Sequence, residues 1–410
     1  MDNIVYFHGA KVSLAPFFVI FYAWEQRKFS DFTFPAGERN KDDLDLEPFA
    51  ITSNQGFIAQ SEAHDDFGYM KDVDRKMYIV VKPNSFAYNP ARINVGSLGY
   101  YEGAENVIVS SLYEVFQTAE YVDDKFLKHW FKTKAFQDWI ERLQEGSVRL
   151  YFYYDKLCEC IMSMPSVEEQ RKIGAYLDKI DNLITLHQRK CETLQKLKKS
   201  MLQKMFPKNG SCFPEIRFAG FTDAWEQRKL KELASFAKGS GYSKTDIKAE
   251  GTPIILYGRL YTKYETTIND VDTFAEAKKG SIYSKGSEVI VPASGETAED
   301  IARASFVSKP GILLGGDLNI IYPNSAIEPT FLALSISNGE QQKSLAKKAQ
   351  GKSVVHLHNS DLETVQITYP TREEQRQIGT YFRTLDRLIT LHQRKQKKPF
   401  LSYNNHNIQA

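Results

Sequence analysis

Two stretches of this 410-residue chain occur twice at nearly the same spacing. The six residues Ala23–Lys28 recur unchanged as Ala224–Lys229, 201 positions later. A longer stretch, Pro165–Lys190, matches Pro370–Lys395 at 17 of 26 positions, 205 positions later. The residues enclosed between these stretches differ in the two halves. A duplicated frame around two unrelated inserts predicts two domains in a pseudo-twofold internal repeat.

The longer repeated stretch predicts a long helix in each half. Pro165 and Pro370 each precede a Glu-Glu pair, which suits a helix N-terminus because proline fixes φ and carboxylates oppose the macrodipole. Apolar residues then recur at spacings of three, four or seven, so we expect helices over 165–206 and 370–398, the second shortened at Pro399. Their apolar stripes should pack together as a coiled coil; two separate surface helices are the alternative. The predicted pairing and partner-docking residues are Ile173, Leu177, Ile180, Ile184, Leu194, Ile378, Phe382, Leu385 and Ile389.

The inserts indicate a mixed α/β (α+β) fold. Runs rich in β-branched and aromatic residues predict strands at 76–82, 107–110 and 148–154, with a helix over 123–143. The second insert has strand-like runs at 253–256, 288–292, 311–314 and 318–322, and helical stretches at 330–337 and 341–349. The predicted division is an atypical N-terminal segment (1–22), a first domain (23–164), a central long helix (165–206), a second domain (207–369), a distal helix (370–398) and a tail (399–410).

Composition and motifs argue against several functions. Apolar residues at 42% and charged residues at 25% are typical of a soluble globular protein, and the apolar run 12–24 is too short to span a bilayer. Gly351-Lys352-Ser353 resembles a P-loop but has Ala346 where that motif needs glycine, and no dinucleotide-binding or hydrolase motif occurs. The four cysteines lack zinc-site spacing. We therefore expect no metal site, reduced thiols and a cytoplasmic protein.

The net charge of +2 is unevenly distributed along the chain. Residues 1–164 carry −7, whereas the predicted helices carry +4 over 165–206 and +5 over 370–398. The second domain is neutral. A nucleic-acid partner would therefore meet basic helices, and the first domain would need a local basic patch.

The repeated motif resembles that of a known family. Each insert is followed by Pro-[Ser/Thr]-x-Glu-Glu-Gln-Arg-x-Ile-Gly, and the phrases at 86–94 and 293–300 resemble target-recognition sequences. The chain is similar in these respects to the specificity subunit of type I restriction–modification enzymes. The resemblance implies that each domain is a target-recognition domain for one half of a split DNA sequence. It also implies that two antiparallel helices space the domains and dock two methyltransferase subunits.

The same resemblance implies a subunit that performs no chemistry itself. S-adenosylmethionine, ATP and Mg²⁺ would belong to the methyltransferase and restriction–translocase partners. Double-stranded DNA would be this chain's ligand, and no membrane would be involved. The alternative is an orphan DNA-binding or helix-pairing scaffold without enzyme partners. A stand-alone methyltransferase or nuclease is the weakest reading because no matching motif is present.

Candidate DNA contacts are polar, basic or aromatic residues in clusters, because base edges are read by paired donors and acceptors. In the first domain they are Thr52, Ser53, Asn54, Gln55, Tyr88, Asn89 and Arg92. In the second domain they are Ser240, Tyr242, Lys244, Tyr257, Arg259, Tyr261, Gln350, Lys352, Ser353 and His356. Ordinary surface loops are the alternative for any one of them.

The two halves differ just before the repeated Trp-Glu-Gln-Arg word. Residues 214–223 read Pro-Glu-Ile-Arg-Phe-Ala-Gly-Phe-Thr-Asp, whereas residues 16–22 read Pro-Phe-Phe-Val-Ile-Phe-Tyr and do not align. The distal helix also diverges after residue 395. Both ends therefore depart from the family pattern.

Overall fold

The computed structural model describes residues 4–7, 10–13, 24–53, 56–63, 75–351 and 354–404. These form two compact units, residues 1–183 and 184–410, whose boundary falls inside the long helix α5. Both units contain helices and sheets, so the mixed α/β class is confirmed.

The first unit is built mainly of short antiparallel strands. Its strands are β1 (Ile4–Phe7), β2 (Ala10–Ser13), β3 (Glu25–Lys28), β4 (Thr33–Pro35), β5 (Glu38–Arg39), β6 (Phe49–Thr52), β7 (Gly56–Ala59), β8 (Ile79–Val81), β9 (Ser85–Tyr88), β10 (Leu98–Tyr101), β11 (Val107–Val109), β12 (Glu114–Thr118) and β13 (Ile161–Met164). Its helices are α1 (Gln60–Ala63), α2 (Asp124–Trp130), α3 (Lys134–Leu143), α4 (Tyr154–Glu159) and the first part of α5 (Val167–Lys204). The main sheets have the orders β10-β9-β12-β4 and β11-β8-β5. An aromatic core that includes Phe29, Phe86 and Phe116 lies against α2 and α3.

The second unit contains two five-stranded sheets. Its strands are β14 (Glu226–Lys229), β15 (Ala234–Lys238), β16 (Ile247–Lys248), β17 (Thr252–Ile255), β18 (Thr267–Ile268), β19 (Phe274–Ala275), β20 (Tyr283–Lys285), β21 (Glu288–Pro292), β22 (Ser294–Gly295), β23 (Ser305–Val307), β24 (Pro310–Leu314), β25 (Leu318–Pro323), β26 (Val355–His356) and β27 (Gln366–Tyr369). Its helices are α6 (Leu230–Leu233), α7 (Arg259–Thr262), α8 (Ala298–Ile301), α9 (Pro329–Ile336), α10 (Gly339–Lys348), α11 (Asn359–Glu363) and α12 (Arg372–Asn404), with the end of α5. The sheet orders are β15-β25-β21-β23-β18 and β16-β19-β17-β24-β20.

Most of the predicted elements are confirmed, and three predictions are wrong. The run 148–154 is no strand: it follows a turn at Gly146, which has a φ of 132°, and Val148 is 94% exposed. The helix predicted over 123–143 is two helices, because Thr133 caps α3 by accepting a hydrogen bond from the backbone N–H of Phe136. The distal helix continues past Pro399 to Asn404, since proline removes one helical hydrogen bond without ending the helix here.

The short repeated word forms the same structure in both units. Glu25–Lys28 is strand β3 and pairs antiparallel with β13, with Glu25 opposite Met164. Its copy is strand β14, which pairs with β27 so that Glu226 lies opposite Tyr369. In each unit the partner strand leads directly into the proline that precedes the long helix. The strand formed by this short repeat therefore connects the start of each domain to the start of its long helix.

The glutamine of the repeated Glu-Glu-Gln-Arg motif attaches each long helix to a neighbouring helix. The side-chain amide of Gln170 donates to the carbonyl of Pro165 at 2.9 Å, and its oxygen accepts from the backbone N–H of Asp123 at 2.9 Å. Gln375 makes the equivalent bonds to Pro370 and Glu328, at 2.8 Å each. Both side chains are buried. Each glutamine thus fastens its helix to the cap residue of a neighbouring helix.

The glycine of the same motif makes this approach possible. Asp123 caps α2 by accepting from the N–H of Phe126, and Glu328 caps α9 in the same way. A Cβ at Gly174 would lie 2.8 Å from the carboxylate of Asp123, and one at Gly379 would lie 3.2 Å from that of Glu328. A side chain at Gly174 would therefore clash with the N-terminus of α2, and one at Gly379 would be tightly packed against that of α9.

Helix α5 has 38 residues, as the sequence predicts, and its second part runs antiparallel to α12 within the second unit. The ring nitrogens of His187 and His392 lie 2.9 Å apart, and Lys198 is 2.5 Å from Asp386. Five of the predicted pairing residues lie in one buried cluster with Phe206: Leu194, Ile378, Phe382, Leu385 and Ile389. Ile184, Leu177 and Ile180 are half-buried, and Ile173 packs against the aromatic core of the first unit.

We expect Gln375→Ala to destabilise the second unit. The substitution leaves the partly buried N–H of Glu328 and the buried carbonyl of Pro370 without their partner, which should cost about 2 kcal/mol. Urea-induced unfolding of the full chain measures this. Gln377→Ala is the matched control, because Gln377 is exposed on the same helix and should change stability by less than about 0.5 kcal/mol. Equal effects of the two variants would contradict the role of Gln375.

The His187–His392 contact predicts that acid weakens the helix pair. Partial burial, His187 and the nearby Lys395 and Lys190 lower the pKa of His392. A lowered pKa in the folded state gives stability that is present above the unfolded value of about 6.5 and is lost as the pH falls through the folded value. Thermal unfolding at pH 7.5 and pH 5 should therefore show a larger fall in Tm for the wild type than for the His187→Gln, His392→Gln double variant. The same fall in both proteins would refute this.

Candidate nucleic-acid interface

In the first unit, the two predicted clusters meet at one group of loops. The hairpin β6–β7 and the loop 89–97 touch because Ser97 donates from its hydroxyl to the carbonyl of Ile51 at 3.0 Å. A Cβ on Gly96 would lie 3.1 Å from Ser53, which shows how closely the two segments approach. Thr52 lies at the end of β6, and its hydroxyl is 3.4 Å from the carbonyl of Gly56. Asn54 and Gln55 lie outside the described residues.

The individual side chains of this group have different environments. Tyr88 is completely buried. Its burial, and to a smaller extent the negative charge of Glu114, raise the pKa of its hydroxyl. The prediction that Tyr88 contacts DNA is therefore wrong for this structure. Its ring belongs to the aromatic core. Asn89 shapes the loop by accepting from the N–H of Ala91 at 3.0 Å. Arg92 and Ser53 are exposed and remain candidates.

In the second unit, loops that are far apart in sequence also meet. Ser240 donates to the carbonyl of Leu314 at 3.3 Å and accepts from the N–H of Ile282 at 3.2 Å. A Cβ on Gly239 would lie 1.9 Å from the carbonyl oxygen of Gly315, so only glycine fits between these loops. The carbonyl of Ile255 accepts from the N–H of Gly315, which brings the segment before Tyr257 to the same place.

Two of the predicted contacts in this region are structural instead. The hydroxyl of Tyr242, whose side chain is buried, accepts from the N–H of Lys278 at 2.7 Å and lies 2.5 Å from the hydroxyl of Ser281. The guanidinium of Arg259 is only 8% exposed and binds Asp272 and Glu265 at 2.5 and 2.8 Å. The predictions that Tyr242 and Arg259 contact DNA directly are therefore wrong for this conformation. Lys244 is exposed.

The charges around Arg259 form a small network. Hydrogen bonds from Lys263 and then Arg259 lower the pKa of Asp272 to about 2. Asp272 is therefore ionised at neutral pH and retains both cations. Such a network fixes the segment between α7 and β19, and it leaves little of the Arg259 charge for a ligand.

The aromatic and histidine candidates of the second unit surround strand β22. Tyr261 donates to the carbonyl of Ser294 at 2.6 Å, and the hydroxyl of Ser294 lies 3.2 Å from the Nδ1 of His356. Gln350 forms a β-bridge with His356, and both are exposed. The ring of Tyr257 lies 6.2 Å from that of Tyr261 in a T-shaped arrangement. Lys352 and Ser353 lie outside the described residues.

Sequence reasoning missed several residues of these surfaces. Ser294 joins Tyr261 to His356, and it lies within the phrase 293–300. Val95, at the tip of the loop 89–97, is 59% exposed. The sequence feature that could have indicated Val95 is its position in a polar loop just after Arg92. An apolar side chain on an exposed loop can contact a thymine methyl group.

Within the described part of the chain, no group of three or more His, Cys, Asp or Glu side chains could hold a metal ion. The cysteines are free thiols, and burial, followed by Glu159, raises the pKa of Cys160 to about 12. None of the described helices is long and apolar enough to cross a membrane.

Comparison with known proteins gives the family of the chain. Residues 63–196 and 222–398 match the family described as the type I restriction modification DNA specificity domain. The chain belongs to this family and is a specificity subunit of type I restriction–modification systems. It is 23% identical over 332 residues to the type I restriction enzyme MjaVIII specificity subunit of Methanocaldococcus jannaschii, a match that covers 78% of this chain and 76% of that protein.

A solved structure has the same fold. The crystal structure of the type I restriction–modification system S subunit from M. genitalium superimposes with a TM-score of 0.58 at 13% sequence identity. The match covers 93% of this chain and 94% of that chain. The resemblance predicted from the repeated motif is therefore confirmed at the level of family and fold.

Proposed function

We propose that this chain recognises a bipartite DNA target, with one domain for each half. The observation that carries the proposal is the repeated frame: the β3–β13 and β14–β27 pairs, and the Gln170 and Gln375 contacts, are equivalent in the two units. The loops that the two frames carry differ in sequence. A protein that binds two different DNA half-sites needs two different sets of loops on the same supporting structure.

We propose further that α5 and α12 form an antiparallel coiled coil that acts as the spacer. His187 and His392 are equivalent positions in the repeat, 205 residues apart, and they touch each other. Equivalent residues of an antiparallel pair meet only near a pseudo-twofold axis, so this contact supports such an axis. A spacer of this kind would hold two half-sites about one helical turn, roughly 34 Å, apart.

The proposed DNA contacts are the members of the two loop groups that the structure leaves exposed or half-buried, together with predicted residues outside the described part of the chain. In the first domain these are Ser53 and Arg92, together with the predicted Asn54 and Gln55. In the second they are Lys244, Gln350 and His356 with the tyrosines Tyr257 and Tyr261, and the predicted Lys352 and Ser353. Exposed cations can bind DNA phosphates, while amide and imidazole groups can form hydrogen bonds with base edges. Tyr88, Tyr242 and Arg259 support these loops from within.

We propose that methyltransferase subunits dock on exposed apolar side chains of the helices. Leu186 is 61% exposed and Leu391 is 45% exposed, and they occupy equivalent positions beside the two histidines. Exposed leucines in such a pattern indicate a surface that a partner covers. The chain would itself be non-catalytic and act in the cytoplasm, with S-adenosylmethionine, ATP and Mg²⁺ held by the methyltransferase and restriction subunits.

Mapping of methylated adenines tests the two-domain reading. In cells that express the chain with its methyltransferase, we expect a motif of two specific parts separated by unspecified bases. Arg92→Ala should relax one part only, and Lys244→Ala the other, because each loses about 1–3 kcal/mol of contact energy in its own half-site. Tyr88→Phe is the control, because it removes a buried hydroxyl. A contiguous motif, or both variants relaxing the same part, would exclude the proposal.

Co-purification tests the docking surface. The double variant Leu186→Asp, Leu391→Asp should reduce recovery of the methyltransferase at least about tenfold, because two charges would be buried at the interface. Its thermal unfolding should match the wild type, since both leucines are exposed. Gln188→Asp is the matched control, an exposed residue two positions from Leu186. Unchanged recovery with the leucine variant would place docking elsewhere and favour a helix-pairing scaffold.

A further inference from the structure

In the second unit, a segment before the repeated word covers the start of α12. Arg217 makes a bidentate contact with Glu374, Nε and Nη2 each 2.8 Å from a carboxylate oxygen, and Nη1 donates to the carbonyl of Asp223 at 2.7 Å. Glu374 is completely buried beneath it. Phe218 packs edge-on against Tyr381, with ring centroids 6.1 Å apart. Arg217 and the following Phe218 thus cover Glu374 and Tyr381 at the start of α12.

The equivalent residues of the first unit are exposed. Trp24, the counterpart of Trp225, is 44% exposed, whereas Trp225 is 2% exposed. Glu169, the counterpart of the buried Glu374, is exposed. Tyr176, the counterpart of Tyr381, is 65% exposed. The counterparts of Trp225, Glu374 and Tyr381 are therefore all accessible in the first unit.

A cavity of about 360 Å³ lies at this place in the first unit. Trp24, Tyr121 and Val167 give it apolar walls, and Glu169 supplies a carboxylate. Arg27 also lines it, but its guanidinium binds Glu25 at 2.5 Å, as Arg228 binds Glu226 in the second unit. The cavity therefore has room for one cation next to the carboxylate of Glu169 and beside apolar side chains.

The segment that precedes Trp24 has no counterpart of Arg217. Arg217 lies eight positions before Trp225, and the equivalent position before Trp24 is Pro16. Residues 16–22 contain no lysine or arginine. The arginine that pairs with the carboxylate in the second unit is therefore not repeated in the sequence before Trp24.

We infer that this groove, lined by Trp24, Tyr121, Val167 and Glu169, binds a segment of a second polypeptide that carries an arginine followed by a phenylalanine. The exposed Tyr176, seven residues after Glu169 on α5, extends the binding surface beyond the groove. The guanidinium pairs with the carboxylate of Glu169, as Arg217 does with Glu374. The phenylalanine packs on Tyr176, as Phe218 does on Tyr381. The neighbouring residues cover Trp24. This inference does not rest on DNA recognition or methyltransferase docking.

A synthetic peptide with the sequence of residues 213–223, Phe-Pro-Glu-Ile-Arg-Phe-Ala-Gly-Phe-Thr-Asp, tests the inference with the full chain. Fluorescence anisotropy of the labelled peptide should show saturable binding. Glu169→Gln should weaken binding about tenfold or more, because a bidentate arginine–carboxylate contact is lost. The peptide with alanine in place of its arginine should bind the wild-type chain as weakly.

Two controls locate the binding. Glu168→Gln changes the adjacent exposed carboxylate and should leave the affinity unchanged. Binding should shift the emission of the wild-type chain to shorter wavelength, and Trp24→Phe should remove that shift. The absence of saturable binding at millimolar peptide, or equal affinity for the Glu169→Gln and Glu168→Gln variants, would overturn the inference. Neither DNA nor methyltransferase is present, so the outcome is independent of the proposed function.

Discussion

The fold depends on one buried glutamine amide in each half. In a capping box, a side chain of the same helix accepts the N–H of the cap residue. Here Gln170 and Gln375 do so from a different helix, accepting from Asp123 and Glu328. Because a buried amide has few ways to satisfy both its donor and its acceptor, these bonds fix the direction in which each long helix leaves its domain. The glycine four residues later allows the necessary approach.

This arrangement separates the frame from the loops. The bonds that hold each helix come from the repeated word, the glutamine, backbone groups and neighbouring helices, such as the contacts of Asp178 with Lys128 and His129. None of these bonds comes from the loops that contain the proposed DNA contacts Ser53, Arg92, Lys244 and His356. The loops can therefore differ completely between the two halves, as they do, while the frame stays the same. That separation allows the loop sequences to change without a change in the contacts that hold the long helices.

The sequence predicted the long helix α5 and four strands of the second domain, β17, β21, β24 and β25, because these carry strong periodic or β-branched patterns. It could not show which side of a strand or loop faces the interior. Tyr88 and Arg259 lie in polar or aromatic clusters that suit DNA contact, yet the first is a core residue and the second is held by Asp272 and Glu265. Their environments depend on residues up to dozens of positions away, which local composition does not encode. The meeting of Ser240 with the segment before Tyr257 is equally non-local.

Ion pairing also changes what the charge distribution means. The second domain is neutral by count, but many of its cations are bound to carboxylates: Lys309 to Asp270, Lys278 to Asp246 and Lys248 to Glu276. These pairs are largely exposed, so each contributes little stability, and their main effect is to reduce the local positive potential. Attraction of DNA phosphates by this domain would then depend on a few exposed cations such as Lys244. The positive excess of the chain therefore lies on the helix segments, +4 and +5, and it opposes the −7 of residues 1–164.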